Sequence, residues 1–227
     1  MKIKTTYKKT IFLAFWAAYL LIGPRAYSET TKEVWLQFKG TNECQKSFCA
    51  DGIPSKLLEN ALLFFSEHQD IIKNKKYLTI IDYSVISTKK RMFILNLQDG
   101  SVQKYLVAHG KFSESEDEPG MAKYFSNIIE SKQSSIGFFL TAKNSEFGKR
   151  HGEILRLDGL SSTNSNARVR NIVLHSGFYA TQEFANRVGR LGLSHGCPVV
   201  SPEKVSEVIT RIKGKSIIYI YSDLESL

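Results

Sequence analysis

The sequence predicts a mainly β fold with peripheral helices, built as a barrel or sandwich. Three observations carry this prediction. From Tyr77 onward the apolar residues fall in short alternating or β-branched runs, which is the spacing of strands. Asp99-Gly100 separates two of these runs as a hairpin signal. Helical stripes are few, and many short strands with few helices bury their apolar faces sheet on sheet or by closing one sheet. Apolar residues make up 42% of the 227, enough for a full core.

The elements follow in order. Residues 29–52 are polar and turn-rich and are expected to drape over the domain. Ile53 to Lys73 reads as a helix: Pro54 suits a first turn, and Leu57, Leu58, Ala61, Leu62, Phe65 and Ile72 fall near one stripe. Strands are predicted at Leu78–Tyr83, Arg91–Leu97 and Val102–Ala108. The run from Ser113 to Gly120 carries Glu114, Glu116, Asp117 and Glu118 and reads as a solvated loop. Ile136–Thr141, Ile154–Leu157 and Asn171–Leu174 are further strands, the last ending at His175. Thr181–Val188 reads as a short helix. Pro202–Lys213 reads as another, with Ser201 as N-cap and Pro202 at the first position. Ser216–Tyr221 closes the chain as a strand. The expected organisation is a leader over 1–28, a loop and helix over 29–76, and a main β-rich domain over 77–227.

The leader has the order of a secretory signal peptide. Lys2, Lys4, Lys8 and Lys9 precede an apolar run from Ile11 to Gly23, and Ala26-Tyr27-Ser28 offers a small-residue cleavage site. The run is short for a membrane span, so cleavage after Ser28 is expected over retention as an anchor. An exported protein of the periplasm or cell envelope follows, without stable membrane insertion after cleavage. The formal charge of +9 is inflated by this leader. Removing its five basic residues leaves 26 basic against 22 acidic side chains, a net of +4. That balance, with no basic patch interleaved with aromatics, does not point to nucleic acid. The oligomeric state is not written in the sequence.

Cys44, Cys49 and Cys197 are an odd set. Cys44 and Cys49 lie in one polar loop in a compartment that permits disulfides, and a disulfide between them is expected. The ring they close is small, so it would stabilise by less than the ~3 kcal/mol of a 15-residue loop. A zinc site is disfavoured, because no nearby His or Cys pair completes a tetrahedron. Cys197 is then a free thiol in an oxidising place, which invites a chemical role.

The informative stretch runs from His175-Ser176-Gly177, through Gly189-Arg190-Leu191-Gly192, to Ser194-His195-Gly196-Cys197-Pro198. A thiol with histidines in reach is the minimum kit for acyl transfer: the imidazole takes the thiol proton and later protonates the leaving amine. Gly196 allows a tight turn whose amides, with that of Cys197, can face an oxyanion. His175 at a strand end is fixed by the sheet. Spacing alone leaves open a plain structural reading: a buried Cys197, a satisfied His175 and a glycine turn.

From about Leu78 to Tyr221 the chain resembles the murein L,D-transpeptidase catalytic domain of the YkuD type. The similar subfamily reads Gly-Arg-Leu-Gly-x-Ser-x-Gly-Cys-Pro, here Gly189 to Pro198. Leu106-Val107-Ala108-His109-Gly110, Phe125-Ser126-Asn127, Ser134-Ser135-Ile136-Gly137-Phe138, His151-Gly152 and Leu155-Arg156-Leu157-Asp158-Gly159-Leu160 are also similar. The resemblance implies an L,D-transpeptidase-like β-barrel or sandwich. It implies that Cys197 is the nucleophile that forms a thioester, and that His175 is the base, oriented with help from Ser176. His195 and Gly196 would shape the oxyanion site. It further implies a peptidoglycan tetrapeptide stem as acyl donor, a second stem's amine as acceptor, a 3→3 cross-link as product, and no metal or organic cofactor.

Two departures from the pattern matter. The gap between His175 and Ser194 holds 18 residues, slightly long for the family. Pro198 and Val199 follow the nucleophile where an Arg or Asn is common. Arg190 replaces that arginine in recognising a substrate carboxylate, with Ser194 beside it, or else Arg190 forms a structural ion pair. His109, His151 and Arg156 are expected to be structural, and Asp158 is a candidate to orient a histidine. Two rival functions use the same residues differently: an L,D-carboxypeptidase or hydrolase releasing wall-attached protein, and an inactive wall-binding module.

Overall fold

A computed structural model describes residues 52–224 of the chain. The leader over 1–28, the segment 29–51, and with them Cys44 and Cys49, lie outside the described residues.

The first helix, α1 (Ser55–Glu67), is shorter than its apolar stripe. The Pro54 carbonyl accepts the amides of Leu57 and Leu58, which starts the helix. It ends where His68 turns both its amide and its Nδ1–H onto the Phe64 carbonyl. Leu57, Leu58, Ala61 and Phe65 are buried. Phe64 stacks on Phe138, and Phe138 on Tyr219, with ring centroids 3.7 and 4.3 Å apart. These contacts lay α1 against the sheet.

That sheet is built from β1 (Tyr77–Asp82), β2 (Met92–Asn96), β3 (Val102–Tyr105), β4 (Gly137–Thr141), β5 (Glu146–Gly148), β6 (Gly152–Gly159), β7 (Val173–Ser176), β8 (Val199–Val200) and β9 (Ile217–Tyr221). The strand order is β3-β2-β1-β9-β4-β6-β7-β8, with β5 paired to β6. β1–β9 and β7–β8 are parallel, and the other pairs are antiparallel. Strand β5 escapes sequence reading because it has three residues and its Phe147 faces solvent. The hairpin turns at Gly100, whose φ of +75° is one that glycine takes without strain.

The two ends of the sheet meet. Beyond β3, Ala108 pairs with Val199 of β8, each amide donating to the other's carbonyl at 2.8 and 3.3 Å. Residues predicted as one strand from Val102 to Ala108 thus serve two partners, β2 first and β8 afterwards. The result is a nearly closed, barrel-like sheet. Inside it lie Ile81, Met92, Ile94, Phe139, Leu155, Leu157 and Leu174. Helix α3 (Pro202–Ile212) adds Val205, Val208, Ile209 and Ile212 to the same core. Each such side chain contributes about 1.5–3 kcal/mol on full burial. Ser201 holds the N-cap position of α3, but through its carbonyl, which accepts from Lys204 and Val205. Helix α2 (Gln182–Val188) is capped by Thr181, whose hydroxyl accepts from the Phe184 amide, and it ends at Gly189.

Candidate active site

The nucleophile candidate sits where the barrel closes. Ser194 pairs with Gly110, and its amide donates to the His109 carbonyl. Five residues on, the chain enters β8, which lies parallel to β7 with Val199 opposite His175. Between these anchors Ser194 to Cys197 must turn sharply. Ser194 braces the turn: its hydroxyl donates to the Cys197 carbonyl at 2.7 Å and accepts from the Gly196 amide at 3.1 Å. Ser194 is therefore a buried part of the turn, not a group facing a substrate. Gly196 has φ +112°, and a Cβ there would come within 2.6 Å of the Gln133 carbonyl oxygen. Only glycine fits.

Cys197 is half-buried and packs against both apolar clusters. Its Sγ accepts from the Val173 amide at 3.5 Å and donates to the Asn171 carbonyl at 3.8 Å. The thiol thus lies at the edge of β7 level with Val173. His175 is two residues further along that strand, about 6.6 Å at the strand rise. Strand alternation sends Leu174 into the core and puts His175 on the opposite face. The His175 Nδ1–H donates to the Ser176 carbonyl at 2.9 Å, which leaves Nε2 with a free lone pair. Orientation by Ser176 is thus a backbone effect. The Ser176 hydroxyl instead donates to the His151 carbonyl, and the His151 ring lies 4.0 Å from that of His175.

Burial sets the protonation of the pair. Desolvation raises the Cys197 thiol above its usual value, opposed by the Val173 amide and the Arg170 charge. Desolvation also lowers His175 to about 4, against the opposing pull of the Ser176 carbonyl and with a further push from His151. At neutral pH the site therefore holds a thiol beside a neutral imidazole. Tyr83 and Tyr179 are both raised to about 12, mainly by burial, and both feel the charge of Cys197. The Gly196 amide is engaged by Ser194. The amides of His195 and Cys197 have no acceptor among the described residues. His195 itself is exposed.

Several residues singled out in the sequence lie elsewhere. Arg190 Nε is 3.4 Å from Glu114, and its NH1 donates to the Leu191 carbonyl, so it is held in an ion pair. Glu114 accordingly departs from the solvated acidic run: it is largely buried and also accepts from the Gly120 amide. His109 is fully buried, accepts from Arg91 at Nδ1 (2.7 Å), and turns Nε2 toward Glu114 at 3.9 Å. Asp158 orients no histidine; both its oxygens accept from Arg168, at 2.6 and 2.7 Å. Arg156 pairs with Glu146 and reaches Asn171 Oδ1.

Arg170 is the residue that sequence reading missed. Its guanidinium sits behind the turn that carries Cys197, 3.3 Å from where a Gly196 Cβ would be. A lone arginine in a polar run gives no periodic signal. Among the described residues, no three His, Cys, Asp or Glu side chains converge to hold a metal ion. A cleft of about 480 Å³ opens beside Leu193, walled by Lys111, Phe112, Glu114 and Tyr124.

The family model of the L,D-transpeptidase catalytic domain matches residues 50–221. No curated protein matches the sequence. Among solved structures, an L,D-transpeptidase from Mycobacterium smegmatis is 15% identical, with a TM-score of 0.37, over 64% of this chain and 58% of that one. L,D-transpeptidase 3 from Mycobacterium tuberculosis is 13% identical, with a TM-score of 0.36, over 64% and 61%. An L,D-transpeptidase from Stackebrandtia nassauensis is 10% identical, with a TM-score of 0.38, over 76% and 69%. The chain spans less than two thirds of the two mycobacterial structures.

Proposed function

The chain belongs to the L,D-transpeptidase catalytic domain family, and we propose that it is a cysteine-dependent L,D-transpeptidase acting on peptidoglycan tetrapeptide stems. In this reading Cys197 Sγ attacks the carbonyl carbon of the third stem residue as its proton passes to His175 Nε2. The oxygen, now negative, is received by the free amides of His195 and Cys197. The tetrahedral intermediate collapses, the C–N bond to the terminal D-Ala breaks, and His175 returns its proton to the leaving amine. The thioester is then attacked by the side-chain amine of a second stem. His175 accepts that amine's proton, the C–S bond breaks, and the thiol is restored as a 3→3 cross-link forms.

The observation that supports this reading is the Cys197 sulfur held against β7, the strand that carries His175. The Val173 amide holds Cys197 Sγ, and the Ser176 carbonyl fixes the tautomer of His175, two residues along the same strand. The neutral resting pair fits general-base activation at the moment of attack. The leader pattern over 1–28 supports export to the cell envelope, where peptidoglycan stems would be met. No helix among the described residues is long and apolar enough to cross a membrane.

Incubation of the protein with disaccharide-tetrapeptides tests the proposal. Dimers with 3→3 links are expected, and Cys197→Ala abolishes them. Tripeptides alone would assign the site to hydrolysis. A Cys197→Ala variant with undiminished product would remove the nucleophile assignment.

A further inference from the structure

Resting on the reading of Cys197 as nucleophile, we propose that Arg170 is the positioning residue of this site. Its guanidinium clasps the loop 126–135 against the Gly196–Cys197 turn and keeps one unneutralised positive charge behind the sulfur.

The clasp is visible atom by atom. Arg170 NH1 donates to the Ser126 carbonyl (2.6 Å) and to the Ser135 hydroxyl, while NH2 donates to the Ser131 hydroxyl (3.1 Å) and the Gln133 carbonyl (2.6 Å). The loop needs such a hold. Glu130 and Lys132 are both in the left-handed region, with φ of 63° and 54°, which costs a non-glycine residue energy. The same loop supports the turn from behind: the Ser134 hydroxyl donates to the Gly196 carbonyl, and the Gln133 carbonyl lies where a Gly196 Cβ would be. Arg170 therefore binds the turn through its support.

The charge is the second half of the argument. All four acceptors are neutral, and no carboxylate pairs with Arg170 among the described residues. A half-buried guanidinium without a counter-ion projects its field onto its neighbours. The neighbour is Cys197: its Sγ contacts the carbonyl of Asn171, the residue after Arg170. The effect is mutual, since the Arg170 charge favours the thiolate and the thiolate favours the charged arginine. The other titratable groups around the sulfur are His175, with His151 stacked on it, and the hydroxyls of Tyr83 and Tyr179. His195 beside it is exposed. His175 is held neutral by burial and the two tyrosine hydroxyls carry no positive charge, whereas the Arg170 guanidinium is a permanent cation near the sulfur. Both terminal nitrogens are occupied by the loop, so Arg170 acts on the thiol without gripping a substrate carboxylate.

The test is the pH dependence of Cys197 alkylation by iodoacetamide, read by peptide mass spectrometry on the full chain. Arg170→Gln keeps a donor but removes the charge, and the alkylation midpoint is expected to rise by about one pH unit. Arg170→Lys keeps the charge but loses the fork: the midpoint should stay within about 0.3 unit of wild type while the melting temperature falls. A folded Gln variant with the wild-type midpoint overturns the proposal. If the Gln variant does not fold, the Lys variant decides: a midpoint at the wild-type value supports the charge, and one raised by about a unit overturns it. Alkylation needs no wall substrate. Its result is therefore separate from failure of the transpeptidase reading, which the muropeptide assay and Cys197→Ala decide.

Discussion

The Ser194–Cys197 turn has an arginine and a histidine on each side, and the two pairs are wired differently. On the side of Gly110, Arg91 donates to His109, and His109 faces a Glu114 that Arg190 also approaches. Carboxylate and guanidinium offset one another there, and Arg91 also donates to the Val85 and Val107 carbonyls. On the side of β7, Arg170 has no carboxylate, and His175 keeps Nε2 free. The Gly110 side thus holds a carboxylate, Glu114, among its cations, whereas Arg170 meets only neutral acceptors and acts on whatever comes near. The same residue types thus make a brace on one side and, on the other, leave a guanidinium without a carboxylate and an imidazole with a free nitrogen.

The sharpest break of this contrast is His175→Asn. Loss of the base is expected to cost roughly 10²–10⁴-fold in acyl transfer, measured as thioester formation with a tetrapeptide stem, with little change in melting temperature. A loss below tenfold would mean that β7 holds no special side. Arg91→Met asks the opposite question. It leaves the buried Val85 and Val107 carbonyls and His109 Nδ1 without their donor, and about 3 kcal/mol of stability should go with it, or roughly 6–12 °C in melting temperature. The folded fraction should keep its rate within about threefold. A folded Arg91→Met protein without activity would make the brace part of the chemistry.

Acid should weaken both sides together. His175 is lowered from 6.5 to about 4 and His109 lies well below 6.5, both chiefly through burial. Between these values the unfolded chain binds protons that the folded one refuses, so stability falls as pH drops from 6.5 toward 4. For His175 the loss amounts to about 2–3 kcal/mol, read from denaturant midpoints across that range. A flat profile would mean that water reaches the imidazole. The smallest effect belongs to Asp158→Asn. Its pair with Arg168 is exposed, and the change should cost about 0.5 kcal/mol or less. A large effect would restore the role that the sequence suggested for it.

Reading from the sequence succeeded where a local pattern carries the information. β2, β4, β9 and α3 lie within a residue of their predicted ends, because β-branched runs and an N-terminal proline are local signals. α1 is shorter than its stripe because Phe64 and His68 end it by their own contacts. The order of strands was not legible, since nothing near Ile217–Tyr221 says that this run separates β1 from β4. The motif pointed to Cys197, His175 and the turn from Ser194 to Pro198. It could not reveal that Ser194 takes the Gly196 amide, that Arg190 is paired with Glu114, or that Arg170 stands behind the sulfur. Those facts depend on residues 2 to 76 positions apart in the chain, brought together by the closing of the barrel.

The place of β9 has a consequence for how the protein comes into being. It follows the other eight described strands in the chain, yet it lies between β1 and β4 and joins the two halves of the sheet. A nascent chain that ends before residue 217 already contains Cys197, but it lacks the strand that brings the Gly110 side and the β7 side into one body. Contacts this distant in sequence form late. The sulfur is thus synthesised before the strand that unites the two sides of its surroundings.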